Sequence, residues 1–343
     1  MALDNYLFFT ESFGWCATNE PPKKWGLGPI VVSATTPRRV GSRYGVTAGS
    51  TGYFNNVIGD PQTDFHIHVA YYAPLISGIL LSVADIATGS PIYQIEVRVD
   101  AQGRLYVTRN GTTIIAATGA PVFPHVGSLE WHSIELLGTI HSSTGWIILQ
   151  VDGNPYLSAT GLNTQNTANA NFGRLLIHSL STNYGFTDVV MRAGSGADDA
   201  VDIWGDCKVD YQPVDAAGHY GTWTPNGEAT RLKCVDEVAA VIGDTDYNSS
   251  STPAQRDSYT FAAANALADV KGGTIQVAIR KDEVGARTFK LFSRESGTDY
   301  DSAAKSLGEI YAVFTHPLPT QGDGSAWDVS DWDAAEAGYE MES

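Results

Sequence analysis

Residues 129–153, LEWHSIELLGTIHSSTGWIILQVDG, decide the fold class. Trp131, Ser133, Glu135 and Leu137 alternate with His132, Ile134, Leu136 and Gly138, so the first arm has the period of two that belongs to a strand, with bulky residues on both faces. The next five residues, His141-Ser142-Ser143-Thr144-Gly145, are small or polar and end on a glycine. The second arm, Trp146 to Val151, is rich in β-formers and stops at Asp152-Gly153, a turn dipeptide. A long antiparallel hairpin is expected, in an all-β neighbourhood.

Outward from the hairpin the pattern repeats. Residues 64–72 (DFHIHVAYY) alternate cleanly, and 79–84, 92–99, 105–109, 113–117, 172–179 and 186–193 supply further short apolar runs, recurring about every 8 to 14 residues. Asp100 to Gly103 and Asn110-Gly111 read as hairpin turns. This spacing predicts a sandwich or barrel and excludes βαβ units. Phe8, Phe9, Phe13 and Trp15 form an aromatic cluster suited to a core, and 157–171 reads as a polar loop. In the second half, strands are expected at 207–212, 232–235, 257–261, 274–280, 288–293 and 307–315, with a second hairpin of 274–280 and 287–294 around the charged turn Lys281 to Gly285. The Ala-rich run from Phe261 to Lys271 is the one candidate helix, and 327–333 is an acidic, aromatic tail that docks or stays mobile.

The chain has 343 residues, long enough for two domains of about 150 to 200 residues each. Lys and Arg number 21 against 38 Asp and Glu, a formal charge of −17, and the basic residues are scattered; nucleic acid and anionic membrane are excluded as partners. The first 15 residues carry Asp4 and Glu11 and lack a basic segment, so they read as a strand and not as a signal peptide. No apolar run is long enough to cross a bilayer. Cys16, Cys207 and Cys234 are odd in number and form no CxxC pair, which suits folding in a reducing cytoplasm; Cys207 and Cys234 read as buried thiols, with a pairing across a sheet as the alternative.

The hairpin carries a resemblance. W-x-x-I-E-L…S-x-G-x-I-x-L-x-V-D-G is met by Trp131, Ile134, Glu135, Leu136, Ser143, Gly145, Ile147, Leu149, Val151, Asp152 and Gly153, and is similar to the central hairpin of concanavalin A-like, laminin-G-like jelly-roll domains. The resemblance implies a first domain over residues 1–197, with 186–191 as the closing strand that lies back against the N-terminal one. Residues 198–343 would form a second, β-sandwich-like domain with an acidic tail. There a succession of short motifs resembles tailed-bacteriophage virion proteins in which such a jelly roll precedes a β-rich C-terminal domain: Gly205-Asp206 with Val209, Thr222 to Pro225, Val235 to Glu237, Asp244 to Tyr247, Asp257 with Tyr259 and Phe261, Val277 to Lys281, and Ser325 to Trp327. The chain departs from the family near its end, where His316 to Gly322 stands in place of D-P-x-T-G-x-x-W.

This resemblance implies a structural virion component, of head or tail, made in the host cytoplasm. Its partners would be other virion proteins, further copies of itself in a trimer or ring, and host-surface glycan. Laminin-G-like domains often hold calcium and sugar on a rim loop. Asp198, Asp199 and Asp202, with Asp244 and Asp246, offer the hard oxygen ligands calcium takes; solvated turn aspartates are the plainer reading. Tyr220 and Trp223 are the candidate glycan or partner contacts, set against the common role of Trp in a small β domain, which is core.

Catalytic constellations are absent from the sequence pattern. Retaining glycosidases of this fold place their acids at E-x-D-x-E or E-x-D-x-x-E, where alternation brings them to one face. Glu96 and Asp100 are four apart with Arg98 between them, and Glu130 and Glu135 fall on opposite faces. No G-x-S-x-G occurs and no phosphate-binding loop precedes a helix. His66 and His68 share a face but lack a third ligand at a suitable spacing, so they are expected to be half-exposed strand histidines. The reading is therefore a non-enzymatic attachment protein without cofactor, apart from the calcium considered above. The alternative is a free lectin-like carbohydrate-binding module or a degenerate glycanase.

Overall fold

The structure is a computed structural model. It describes residues 61–72, 77–85, 91–117, 119–123, 130–178, 185–192, 203–236, 244–264 and 269–343 in full, and the backbone alone of 7–11, 30–33, 44–47, 52–60, 179, 193 and 194. It is all-β and divides into two compact units, Met1–Val209 and Asp210–Ser343.

The first unit is a sandwich of two antiparallel sheets. One contains β1 (Leu7–Glu11), β2 (Ile30–Ser33), β3 (Tyr44–Thr47), β5 (Asp64–Tyr72), β10 (Trp131–Thr139), β11 (Gly145–Val151), β12 (Asn154–Leu162) and β14 (Gly185–Gly194), in the order β12-β11-β10-β5-β14-β3-β2, with β1 also on β14. The other runs β4-β13-β6-β7-β8-β9, from β4 (Gly52–Gln62), β6 (Gly78–Asp85), β7 (Ile92–Val99), β8 (Leu105–Arg109), β9 (Thr112–Ile115) and β13 (Phe172–Ser179).

The expected central hairpin is β10–β11, in register from Ile134 opposite Val151 to Gly138 opposite Ile147. Asp152 and Gly153, at φ of 50° and 73°, make the next turn; the Asp152 carboxylate ties that turn back by accepting the Ser133 N–H at 2.8 Å. The closing strand β14 lies antiparallel to β1, Leu7 opposite Ala193, as the jelly-roll resemblance implies. Alternation sends Phe65, Ile67, Val69 and Tyr71 of β5 inward. There they meet Leu80, Val83, Ile95, Val97 and Leu175 of the facing sheet in one apolar cluster. Phe65 packs edge-on to Phe172 with centroids 5.6 Å apart. Each such burial contributes about 1.5–3 kcal/mol. The aromatic cluster expected at Phe8 to Trp15, and Cys16, lie outside the side chains described.

The second unit is built on a smaller antiparallel sheet, ordered β15-β18-β24-β20-β21, with β22 on β20. Its strands are β15 (Val214–Gly221), β18 (Arg256–Phe261), β20 (Thr288–Glu295), β21 (Thr298–Asp301), β22 (Lys305–Ser306) and β24 (Glu336–Met341). Two separate pairs accompany it: β16 (Thr224–Asn226) with β17 (Tyr247–Ser249), and β19 (Gly273–Ile279) with β23 (Ala312–Leu318). Among the described residues one short α-helix, α1 (Val329–Ala334), starts at Asp328, whose carboxylate accepts the Asp331 N–H at 2.7 Å.

Several sequence expectations are corrected here. The second hairpin does not form between 274–280 and 287–294: β19 pairs β23, Ile279 opposite Ala312, and β20 pairs β24. Phe289 and Leu291 on one face of β20 and Phe292 on the other are all buried, and that demands a central place in a sheet, which the β24 pairing supplies. The 327–333 tail docks, Trp327 being buried with its Nε1–H on the Leu318 carbonyl; beyond it β24, which the sequence did not display, is the middle strand of the sheet, Ala337 and Gly338 weakening its alternating signal. Residues 261–264 and 269–271 are not helical, and 265–268 lie outside the described residues. Residues 207–212 form no strand. Cys207 is half-buried, Cys234 is buried with its Sγ 3.6 Å from the Asn226 carbonyl oxygen, and the two are not bridged to each other.

Candidate functional site

Three groups of polar side chains stand out, and each is positioned by strand alternation. The first lies on the side of the β5 sheet away from the core. Strand β5 brings His66 and His68, β10 brings Glu135 opposite His68, and β14 brings Asp188, which sits at φ 52° in the bulge between Thr187 and Val190. Residues 203–209 run across them. The Trp204 and Gly205 N–H groups donate to the Glu135 carboxylate at 2.6 and 3.0 Å, and the Trp204 ring lies 3.9 Å from the His66 ring. The Val209 N–H donates to Asp188 Oδ1 at 3.0 Å. His66 Nε2 meets Glu135 Oε1 at 2.6 Å. His68 Nε2 accepts the Cys207 N–H at 3.1 Å, so its proton is on Nδ1, which donates to the Asp188 carbonyl at 2.9 Å.

Both histidines are therefore 0% exposed, where the sequence predicted half-exposed residues; the covering segment supplies the burial. Burial alone would raise Glu135, but the His66 hydrogen bond, the two backbone N–H donors and the His66 charge outweigh it and hold its carboxyl below the usual range. This is a docking contact for a chain segment, which engages both Glu135 oxygens, His68 Nε2 and Asp188 Oδ1.

The second group includes the glycosidase candidate. Glu96 on β7 is buried, with Oε2 accepting from Thr108 Oγ1 and from the Gly111 N–H at 2.7 Å, and Oε1 accepting from Arg98 Nη2 at 3.0 Å. Burial pushes its pKa up, yet these donors and the Arg98 charge prevail and lower it. A general acid needs the opposite shift. Asp100 accepts the Gln102 and Arg104 N–H groups, both at 2.9 Å, and caps its turn. Beside Glu96, Ser82 Oγ lies 2.9 Å from His178 Nε2, and burial lowers that imidazole to about 4, leaving it neutral at neutral pH.

The third group contains Tyr220 and Trp223, which the structure does not bring together. Tyr220 is half-buried on the charged face of the second unit's sheet, its hydroxyl donating to Asp299 Oδ2 at 2.5 Å and its ring flanked by Arg256 and Arg294 at 5.6 and 5.4 Å. Trp223 lies against the opposite face, 7% exposed, stacked edge-on to Tyr339 at 4.7 Å, its Nε1–H donating to the Gln255 carbonyl at 3.1 Å. Trp223 is thus a core residue, the commoner of the two roles that the sequence left open for it. Beneath it Asp257 accepts the Trp223 N–H at 3.0 Å and the Tyr259 hydroxyl at 3.1 Å, and Asn248 donates to Tyr259 and Tyr339.

Sequence reasoning found Asp257 and Tyr259 only as members of a motif. Their D-x-Y spacing was the available signal for a shared face. Arg231, 3.5 Å from Asp257, left no signal. Asp198, Asp199 and Asp202 lie outside the described residues. Asp244 Oδ1 accepts from Arg280 Nη2 at 2.9 Å and from the Tyr311 hydroxyl at 3.0 Å. Among the described residues no three His, Cys, Asp or Glu side chains gather as a metal site, and no helix is long and apolar enough to cross a membrane.

These features define an all-β protein of sandwich architecture. No family model and no curated protein matches the chain. Among solved structures, alginate lyase Aly36B is similar over 55% of this chain and 98% of its own, with TM-score 0.37 and 7% identity. Trypanosoma rangeli sialidase with the inhibitor DANA is similar over 55% of this chain and 30% of its own, with TM-score 0.35 and 11% identity. The cellulose induced protein Cip1 is similar over 53% and 96%, with TM-score 0.36 and 13% identity. Likenesses this slight carry no argument about activity.

Proposed function

We propose that the chain is a non-enzymatic structural protein of a tailed-phage particle, in head or tail, that assembles with other virion proteins and with its own copies and presents a surface able to touch host glycan. One observation carries the reading. The residues of the ordered virion-like motifs do framework work: Gly205 and Val209 dock a segment on the first sandwich; Trp223, Asp257 and Tyr259 build the second unit's interior; and Trp327 is buried against Trp332 with its Nε1–H on the Leu318 carbonyl. A likeness concentrated in framework positions speaks for a shared architecture. The oxygens of Glu96 and Glu135 are engaged by Thr108, Gly111 and Arg98 and by His66, Trp204 and Gly205, framework contacts that support the non-enzymatic part.

Immunogold labelling of intact particles with antibody to this chain tests the proposal. Label at one fixed location, with a closed trimer or ring in solution, is the expected result. Unlabelled particles, with the chain left in the lysate as a sugar-binding monomer, would replace it with the free lectin-like module. Reducing ends released from bacterial polysaccharide, and lost in Glu96→Gln, would overturn the non-enzymatic assignment.

A further inference from the structure

The second unit holds a shallow depression of about 400 Å³ lined by Ala217, Trp223, Pro225, Thr230, Arg231 and Leu232. Its lining carries one charge, the Arg231 guanidinium, in a chain whose net charge is −17. That side chain is 25% exposed, and its Nε is buried without a hydrogen-bond acceptor among the described residues; its ionic neighbour, Asp257 Oδ2, stands 3.5 Å from Nε. Asp257 is already occupied by the Trp223 N–H and the Tyr259 hydroxyl. Burial holds the Asp257 carboxyl above its usual range despite Arg231.

The seat of Arg231 is built. Strand β15 ends at Gly221, opposite Asp257 on β18, and a Cβ placed on Gly221 would come within 2.4 Å of the guanidinium carbon. Glycine there leaves the space that the planar fork occupies. A guanidinium with its Nε buried and unpartnered and its outer edge partly open matches a carboxylate geometrically, because a carboxylate takes two parallel N–H groups. Trp223, 7% exposed, and the apolar Pro225, Ala217 and Leu232 give the depression an apolar lining against which a sugar ring can lie.

We propose that this depression binds a carboxylate-bearing sugar, its carboxylate on Arg231 and its ring against the apolar lining of Pro225, Leu232 and Trp223. The assignment rests on the glycan contact proposed above and names its chemical class. Isothermal titration of the full chain with a trimer of galacturonic acid, its methyl ester, a neutral galactose trimer and acetate tests it. The acidic trimer binds, and the ester, the neutral trimer and acetate bind at least tenfold more weakly. Arg231→Gln and Gly221→Ala each weaken the acidic trimer about ten- to a hundredfold, the range expected for a charge-assisted hydrogen-bonded pair. Gly221→Ala is the informative variant, since it displaces a flexible side-chain end and leaves Trp223 and Asp257 in place. Arg231→Lys, which keeps the charge without the fork, gives an intermediate loss and covers the case of a variant that fails to fold. No binding by the wild-type chain, equal binding of ester and acid, equal binding of acetate, or full affinity in both folded variants overturns the proposal. Labelled particles with no sugar binding would remove this inference and leave the virion reading; unlabelled particles with acid-selective binding would do the reverse.

Discussion

Glu135 in the first unit and Asp257 in the second are both carboxylates under a sheet face, 2% and 0% exposed, yet the first is held below its ordinary value of 4.5 and the second above its ordinary 3.8. Glu135 faces an imidazole at 2.6 Å and two backbone N–H groups. Asp257 faces a backbone N–H, a hydroxyl, and a guanidinium too distant to donate. Burial raises both; what decides the sign is whether charge-matched donors reach the oxygen. The two interiors differ in the same sense. Among the described residues the first unit gathers twenty-six buried apolar residues in one cluster, and the second gathers six, among them Trp223, Tyr259 and Tyr339. The smaller interior relies on polar groups that the larger one keeps on its outer faces.

The largest effect is expected where the apolar interior is densest. Phe65→Ala leaves a cavity opposite Phe172 in a fully buried position and costs about 3–5 kcal/mol, read by denaturant unfolding of the first unit. A cost under about 1 kcal/mol would mean that this interior is not close-packed as described. Next is Glu135→Gln, at about 3 kcal/mol, because the change strips the charge that His66 and the segment 203–209 are arranged around. Its pH signature is specific. A carboxyl with a lowered folded pKa contributes stability above its unfolded value near 4.5, and that stability is lost as pH falls through the folded value. The acid limb should flatten in the variant; an unchanged limb would show that the contact is incidental.

Asp257→Asn gives a smaller effect of opposite sign with pH. Because the folded pKa is raised, the folded state binds more protons, so stability falls as pH climbs from about 3.8 through the folded value. The Asn variant abolishes that fall while keeping an acceptor for the Trp223 N–H, with a net change of about 1 kcal/mol at neutral pH. Pulse proteolysis of the second unit between pH 4 and 8 reads it, and a variant that tracks the wild type across that range would mean Asp257 is charged throughout.

The contrast between the units also explains what the sequence displayed. The first unit's strands were legible because deep burial on one face imposes clean alternation, as in Phe65 to Tyr71, and because Asp152-Gly153 sits where a positive φ is needed. In the second unit residues pair across long separations, β18 with β24 and β19 with β23, and adjacency along the chain misleads. Strand β24 hides behind Ala337 and Gly338, and β15 (VDAAGHYG) behind four small residues. The sites were harder still. Period-two reasoning places His66 and His68 on an outer face correctly, but their burial depends on Trp204, some 140 residues later, which no local pattern reveals. Trp223 and Tyr220 look equivalent as aromatics in a turn-rich stretch; only the sheet tells which face each one takes.

The smallest effect is on the charged face of the second unit, where Arg294 meets Asp299 at 2.6 Å and Tyr220 shares that carboxylate. Partly exposed pairs of this kind are worth about 0.2–1 kcal/mol, so Asp299→Asn barely shifts the unfolding midpoint, and that shift shrinks further in 1 M salt, where the Debye length is about 3 Å. What does change is Tyr220. Its hydroxyl is held above the ordinary value of 10.0 first by donating to Asp299, then by burial and by the charge of the same carboxylate, against which Arg294 and Arg256 pull downward. With Asp299 neutral, the groups that raise Tyr220 most are gone while Arg294 and Arg256 remain, and Tyr220 titrates at lower pH than in the wild type, visible as an earlier tyrosinate absorbance step. A step that does not move would mean that the Tyr220–Asp299 bond does not persist in solution, and this face would then have to be redrawn as a set of independent surface charges, unlike the fixed carboxylates of the first unit.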